Sequence, residues 1–123
     1  MGMKYQESEE MYLETILVLK KEKPCVHSID VAERLRYSRP SVSRAVNLLQ
    51  KKGFLLIAKN GELTLTEKGE EKAQTIYERH RVLTDILMST GADRTLAEEN
   101  ACRIEHVISP EMFEILKKFS QKC

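Results

Sequence analysis

The stretch Ser38–Thr66 reads SRPSVSRAVNLLQKKGFLLIAKNGELTLT, and its periodicity changes in the middle. Up to Gly53 the apolar residues Val42, Ala45, Val46 and Leu49 recur at three- and four-residue intervals, the spacing of one helical face. Ser38 suits the cap of that helix, Pro40 its first turn and Gly53 a left-handed stop. Beyond Gly53 the pattern becomes two short apolar runs about Asn60 and Gly61, a pair suited to the type I′ turn of a hairpin.

Working back from this stretch, SEEMYLETILVLKKE predicts a first helix, with Ser8 as cap and Tyr12, Ile16 and Leu19 as its apolar stripe. After the break at KPCVH, Ser28 is expected to cap a short helix IDVAERL, and RYS turns the chain into the helix begun by Ser38. Three helices followed by a hairpin, with a short turn between the second and third, make a winged helix-turn-helix. With its apolar residues inward, the third helix turns Arg39, Ser41, Ser43, Arg44 and Asn47 outward, and Ser38 stands at its start. Ser43 and Arg44 are the expected base contacts, Pro40 could meet a thymine methyl, and Lys59 and Asn60 at the hairpin tip could touch backbone or minor groove. Charge agrees: Arg34 to Lys59 holds seven Lys or Arg and no Asp or Glu, although the whole chain carries only +1. The alternative is an ordinary solvated helix with a few arginines.

Forward from Thr66, which can cap it, TEKGEEKAQTIYERHRVLTDILMST predicts a long helix with Ala73, Ile76, Leu83 and Leu87 on its apolar side. His80 falls near that side, where a lone histidine serves either as a satisfied core or interface residue or as a ligand. In TLAEENACRIEHVI, Ala97, Ala101, Ile104 and Ile108 share one face and Glu98, Cys102, Glu105 and His106 another. Thiolate, carboxylate and imidazole at i, i+3 and i+4 can converge on one cation. Asp93 to Glu114, with six acidic residues and two basic ones, suits a cation. Further donors are His80 and, three residues apart in helix one, Met11 and Glu14, although by residue type alone Met11 reads as a core gap-filler and Glu14 as a surface charge. SPEMFEILKKF ends the chain with a helix whose Met112, Phe113, Leu116 and Phe119 form surface for a partner, most economically a second copy.

A chain of 123 residues, 32% charged and 41% hydrophobic, has the composition of a globular protein of one domain or two small ones. No run approaches the roughly 18 apolar residues of a membrane span, and the acidic, interrupted N-terminus is no signal peptide. A cytoplasmic location without membrane contact is expected. Cys25, Cys102 and Cys123 lack paired spacing and give no disulfide framework.

EMYLETI, SVSRAVNLLQKKGFL, LTLTEKG, ERHRVL and ACRIEHVIS occur in the order of the landmarks of the diphtheria toxin repressor family of metal-dependent regulators, which the chain resembles over nearly its whole length. The resemblance implies a mainly α fold, with a winged helix-turn-helix DNA-binding domain over residues 1–66 and a helical metal-binding and dimerisation domain over 67–123. It also implies a homodimer on palindromic double-stranded DNA. Residue by residue, Met11, Cys102, Glu105 and His106 match the metal site of iron-responsive members, His80 matches a histidine used by both iron- and manganese-responsive branches, and Glu14 matches a carboxylate of the manganese branch. Glu98 stands where iron-type members carry a second-site histidine, and Thr84 where they carry a second-site glutamate. Their ancillary site therefore does not transfer intact, though Glu98 or Glu99 could help hold a second ion. The SH3-like third domain of iron-responsive members is expected to be missing, as in the shorter manganese-type regulators.

Sulfur ligands favour Fe²⁺ over Mn²⁺, and Zn²⁺, Co²⁺ or Ni²⁺ could substitute. The expected mechanism is a population shift in which the ion joins helix one to the later helices and sets the spacing of two reading helices. Two other classes compete. A winged-helix regulator sensing an organic ligand or thiol oxidation at Cys102 would not need His80, Glu105 and His106 together. A metal hydrolase, prompted by CRIEH, would need a histidine where Cys102 stands, and it has no use for a basic reading helix.

Overall fold

A computed structural model describes the backbone of residues 2–122 and the side chains of residues 9–122. The elements run α1 (Gly2–Glu22), α2 (Ser28–Leu35), α3 (Arg39–Lys51), β1 (Leu55–Ile57), β2 (Leu63–Leu65), α4 (Glu67–Ser89), α5 (Arg94–Ile104) and α6 (Pro110–Lys122). The chain divides into two compact units, Met1–Gln74 and Thr75–Cys123, with the division inside α4. α1 begins at Gly2, so Ser8, expected to cap it, lies inside the helix instead; the thiol of Cys123 lies outside the described side chains.

In the first unit α1 packs on α2, α3 and β2. The expected stripe of Tyr12, Ile16 and Leu19 is buried, and so are Leu13 and Leu17 beside it. Val26, Val31, Val42, Leu49, Leu55 and Leu63 complete the core. Each such side chain stabilises the fold by about 1.5–3 kcal/mol through area removed from water. α3 is therefore anchored on one face only and leaves the other to solvent.

The punctuation of α3 follows the sequence closely. Ser38 is the cap, its Oγ accepting the Ser41 N–H at 3.3 Å, and Pro40 lies in the first turn. At the far end Gly53 has φ 84°, its N–H reaches Gln50 O, and the Phe54 N–H reaches Leu49 O, both at 3.0 Å. These are the paired bonds of a Schellman stop, and the left-handed residue it needs is the glycine.

The expected cap of α2 is corrected. His27, not Ser28, caps α2, because Asp30 three residues on turns its carboxylate back to the His27 N–H at 2.8 Å, while Ser28 has Val31 at that offset. Asp30 also accepts from Lys23 Nζ at 2.5 Å, and these two contacts, Lys23 first, hold its carboxyl below the usual carboxylate value. Because the folded value is depressed, the contribution is full above the ordinary carboxylate range and disappears as pH falls through the lowered value. Asp30→Asn should thus cost about 1 kcal/mol at neutral pH and nothing in strong acid, which urea titrations of both proteins at the two pH values would check.

The hairpin departs from the two-residue type I′ turn. Leu55 pairs with Leu65, Leu56 with Thr64 and Ile57 with Leu63, and the Ala58 N–H extends the ladder to Glu62 O at 2.9 Å. The loop is therefore Lys59, Asn60 and Gly61, closed by Gly61 N–H to Ala58 O at 2.9 Å, with only Gly61 left-handed at φ 88°. Burial decides the register. A turn on Asn60 and Gly61 alone would oppose buried Leu63 to exposed Ala58, whereas the observed pairing sets Leu63 against Ile57 on one face. Leu63 N–H also donates to Val26 O at 2.8 Å, tying the wing to the segment before α2.

In the second unit α4 supplies buried Ile76, Leu83 and Thr84, and α5 buries Ala97 and Ala101. Asp93 caps α5 by accepting the Leu96 N–H at 2.8 Å, and Ser109 caps α6 by accepting the Met112 N–H at 3.1 Å. The helix expected to run to Ile108 ends at Ile104, and residues 105–107 form a turn. Arg79 holds the turn that follows: its Nη1 donates to the carbonyls of Glu105 and Ile108, each at 3.2 Å. Among the described residues no helix is long and apolar enough to cross a membrane.

Candidate metal centre and nucleic-acid interface

Glu105 is the most unusual residue of the second unit, a carboxylate with no exposed surface. One oxygen, Oε2, lies 2.8 Å from His80 Nδ1, and the other, Oε1, lies 3.3 Å from His106 Nε2. Oε1 accepts no hydrogen bond among the described residues. Cys102, Glu105 and His106 each offer a donor atom, and these three atoms lie within 4.8 Å of one another. A buried carboxylate is costly unless a positive partner compensates it. Sulfur, oxygen and imidazole nitrogen converging about such an oxygen fit a divalent transition metal by donor chemistry.

The local chain explains the convergence. Cys102 projects from the last turn of α5, whereas Glu105 and His106 sit in the turn that follows, so the three do not line one exposed helical face. Glu105 N–H still bonds Ala101 O at 2.8 Å, which keeps the residue close to helical position while its side chain goes inside. Arg79 holds the turn by its two carbonyls, and its guanidinium lies over the Phe113 ring at 5.5 Å. Its neighbour His80 reaches the Glu105 carboxylate, so one turn of α4 both holds the turn of residues 105–107 and contributes a candidate donor. Nothing local in the sequence flags Arg79; its partners are 26 and 29 residues away.

The remaining expected ligands are placed as follows. Met11 and Glu14 are half-buried on α1. Glu98 is exposed and pairs with Arg94 at 3.4 Å, apart from the Cys102 group. Thr84 is buried, and its hydroxyl has no hydrogen-bond partner among the described residues. On α6, Met112 and Phe119 are exposed as expected, with Ile115 beside them, but Phe113 is buried under Arg79.

In the first unit the outward face of α3 carries Arg39, Pro40, Ser43, Arg44 and Asn47, all exposed, with Ser41 half-buried. Ser38 is committed to the cap and also donates to Ser41 Oγ at 2.9 Å. Arg44 lies along the helix with Nη2 3.5 Å from Ser41 Oγ, and the Asn47 amide donates to Ser43 O at 2.7 Å. Lys59 and Asn60 are exposed at the wing tip, where Asn60 Oδ1 accepts the Glu62 N–H at 3.0 Å. Exposed donors along one helix, with a cationic wing tip, can meet base edges and phosphates in the manner of a winged helix.

Residues 4–63 match the profile of the family described as iron dependent repressor, N-terminal DNA binding domain, and residues 66–123 match iron dependent repressor, metal binding and dimerisation domain. The chain belongs to the iron dependent repressor family. This repressor-family chain is 35% identical over 116 residues to the diphtheria toxin repressor of Corynebacterium diphtheriae, a match covering 91% of this chain and 50% of that protein. It is 33% identical over 118 residues to an HTH-type transcriptional regulator of Methanocaldococcus jannaschii, covering 94% of both. The structure of the manganese regulator SloR matches it with a TM-score of 0.82 at 29% identity, over 94% of this chain and 54% of SloR. The iron dependent repressor chain thus spans about half the length of the diphtheria toxin repressor that it matches.

Proposed function

We propose that this chain is a divalent-metal-dependent, DNA-binding transcriptional regulator, a repressor of metal homeostasis genes that acts as a homodimer on palindromic double-stranded DNA. The observation that carries the reading is the Cys102, Glu105 and His106 group with its fully buried carboxylate. His80 is proposed as a further donor through its contact with Glu105, and Met11 and Glu14 as donors from α1. Glu98, occupied by Arg94, is at most an ancillary ligand. Thiolate and thioether sulfur favour Fe²⁺ over Mn²⁺. The ion supplies positive charge to a cluster that otherwise assembles a carboxylate, a thiol and imidazoles at close range.

DNA contacts are assigned to Arg39, Pro40, Ser41, Ser43, Arg44 and Asn47 on α3, with Ser38 orienting its start and Lys59 and Asn60 touching the backbone from the wing. Exposed Met112, Ile115 and Phe119 on α6 support pairing with a second copy. Metal binding then acts by linkage. If the ion favours the DNA-competent population, DNA must tighten the ion by the same factor.

The test is DNA binding to candidate palindromes with Fe²⁺, Mn²⁺, Zn²⁺ or a chelator, for the wild type, Cys102→Ala and His106→Ala. Fe²⁺ should strengthen wild-type binding by about 5- to 150-fold over the chelator, and both variants should lose most of that gain. Equal affinity with chelator and with every metal would remove the switch. A full metal response in both variants would remove the ligand assignment and leave the DNA-binding reading standing.

A further inference from the structure

Tyr37 closes the turn between α2 and α3, immediately before Ser38, the cap of the reading helix. Its hydroxyl donates to the Met11 sulfur on α1 with an O···S distance of 3.4 Å. Its ring meets Tyr12 edge-on, 6.0 Å between centroids and 68° between planes. Tyr37 is 42% exposed, so burial does not demand a partner for its hydroxyl, and phenylalanine would make the same ring contact. What the oxygen adds is a hydrogen bond to a thioether. Methionine sulfur is a weak acceptor, and the electron density it gives to that proton, with the orientation the contact imposes, is lost to a metal.

We propose that Tyr37 is a positioning residue that restrains the Met11 thioether, competing with a soft metal for its sulfur and so tuning both affinity and metal choice. The proposal rests on the reading of Met11 as a ligand. The hydroxyl holds the sulfur against the turn that leads into α3. An ion that drew the sulfur away would release Tyr37, one residue from the Ser38 cap, so the exchange would be felt where α3 begins. Metals that use sulfur bear the full cost of breaking this contact. Mn²⁺, which binds mainly through oxygen and nitrogen, bears little of it.

A double-mutant cycle tests this on the whole chain: wild type, Tyr37→Phe, Met11→Leu and the pair, with Co²⁺ and Mn²⁺ affinities measured by competition against a chelating dye. Methyl resonances of ¹³C-methyl-methionine provide a second readout in the metal-free proteins. Tyr37→Phe should move the Met11 methyl resonance and tighten Co²⁺ by about 2- to 10-fold, the range of one net hydrogen bond. Mn²⁺ affinity should change less, and the Co²⁺ gain should vanish in the Met11→Leu background. Unchanged Co²⁺ affinity in Tyr37→Phe, or the same gain without Met11, overturns the proposal. If Met11→Leu itself binds Co²⁺ as tightly as the wild type, the ligand reading beneath it falls too. If Met11→Leu weakens Co²⁺ while Tyr37→Phe changes nothing, the ligand reading survives and the restraint alone is wrong.

Discussion

A Glu105→Gln variant is expected to bind divalent metal at least about 100-fold more weakly than the wild type, since even the outer partners of metal ligands are worth about 10- to 100-fold. The substitution preserves shape and removes charge. In the native chain Glu105 has no exposed surface and stands between His80 at 2.8 Å and His106 at 3.3 Å. A pair of unit charges about 4 Å apart interacts by about 4 kcal/mol at an effective dielectric near 20. Loss of the anion therefore outweighs any relief from ending its burial. The glutamine amide would also present N–H groups where an ion needs a lone pair. Calorimetric titration with Co²⁺ or Mn²⁺, alongside a circular dichroism spectrum to establish folding, decides the point. Affinity within about threefold of the wild type would mean that Glu105 only bridges two histidines, a contact on the scale of one charged hydrogen bond.

Gly69→Ala is expected to destabilise the first unit by about 3–5 kcal/mol, although glycine to alanine inside a helix ordinarily gains about 1 kcal/mol. A Cβ on residue 69 would stand 1.9 Å from the Phe54 carbonyl oxygen, 2.8 Å from its carbon and 3.1 Å from its Cα. All three are backbone atoms, and that backbone has little freedom to retreat. Phe54 N–H is held by Leu49 O in the stop of α3, and Phe54 O accepts the Thr66 N–H, both at 3.0 Å. Thermal unfolding should fall by on the order of 10–20 °C, with Gln74→Ala, at an exposed position of the same helix, nearly unchanged as the control. An unaltered midpoint would show that α4 and the end of α3 can separate freely.

These two residues also mark what the chain makes legible and what it hides. Ser38, Pro40 and Gly53 announce α3 because capping and stopping are decided within a few residues, and the winged helix-turn-helix follows from their order. The wing was legible as a hairpin, but Asn60 and Gly61 pointed to the wrong turn. Its register is set by burying Leu55 and Leu63, a demand of the whole unit. Cys102, Glu105 and His106 could be picked out by spacing, and they do converge, with Glu105 kept at helical position by its bond to Ala101 O; the turn that carries His106 was not legible. The helix stops at Ile104, and Arg79 holds the turn from a distant part of the chain. Gly69 looks like a defect in α4 until Phe54 is seen beside it, and Tyr37 looks like an ordinary turn residue until its hydroxyl is followed to Met11. Contacts between residues far apart in sequence leave no periodicity to find.

The Thr66 hydroxyl donates to Gly53 O at 2.6 Å and accepts the Gly69 N–H at 3.1 Å, so one oxygen fastens the two ends of the wing to each other. The segment between is a closed loop with its own clasp. Lengthening such a loop costs only about 0.6 kcal/mol per doubling, and the strain of a changed tip stays above the clasp. The wing is in this sense an interchangeable cassette. Residues at Lys59 to Gly61 can be exchanged with the two ends of the wing still fastened, and α3 is left undisturbed.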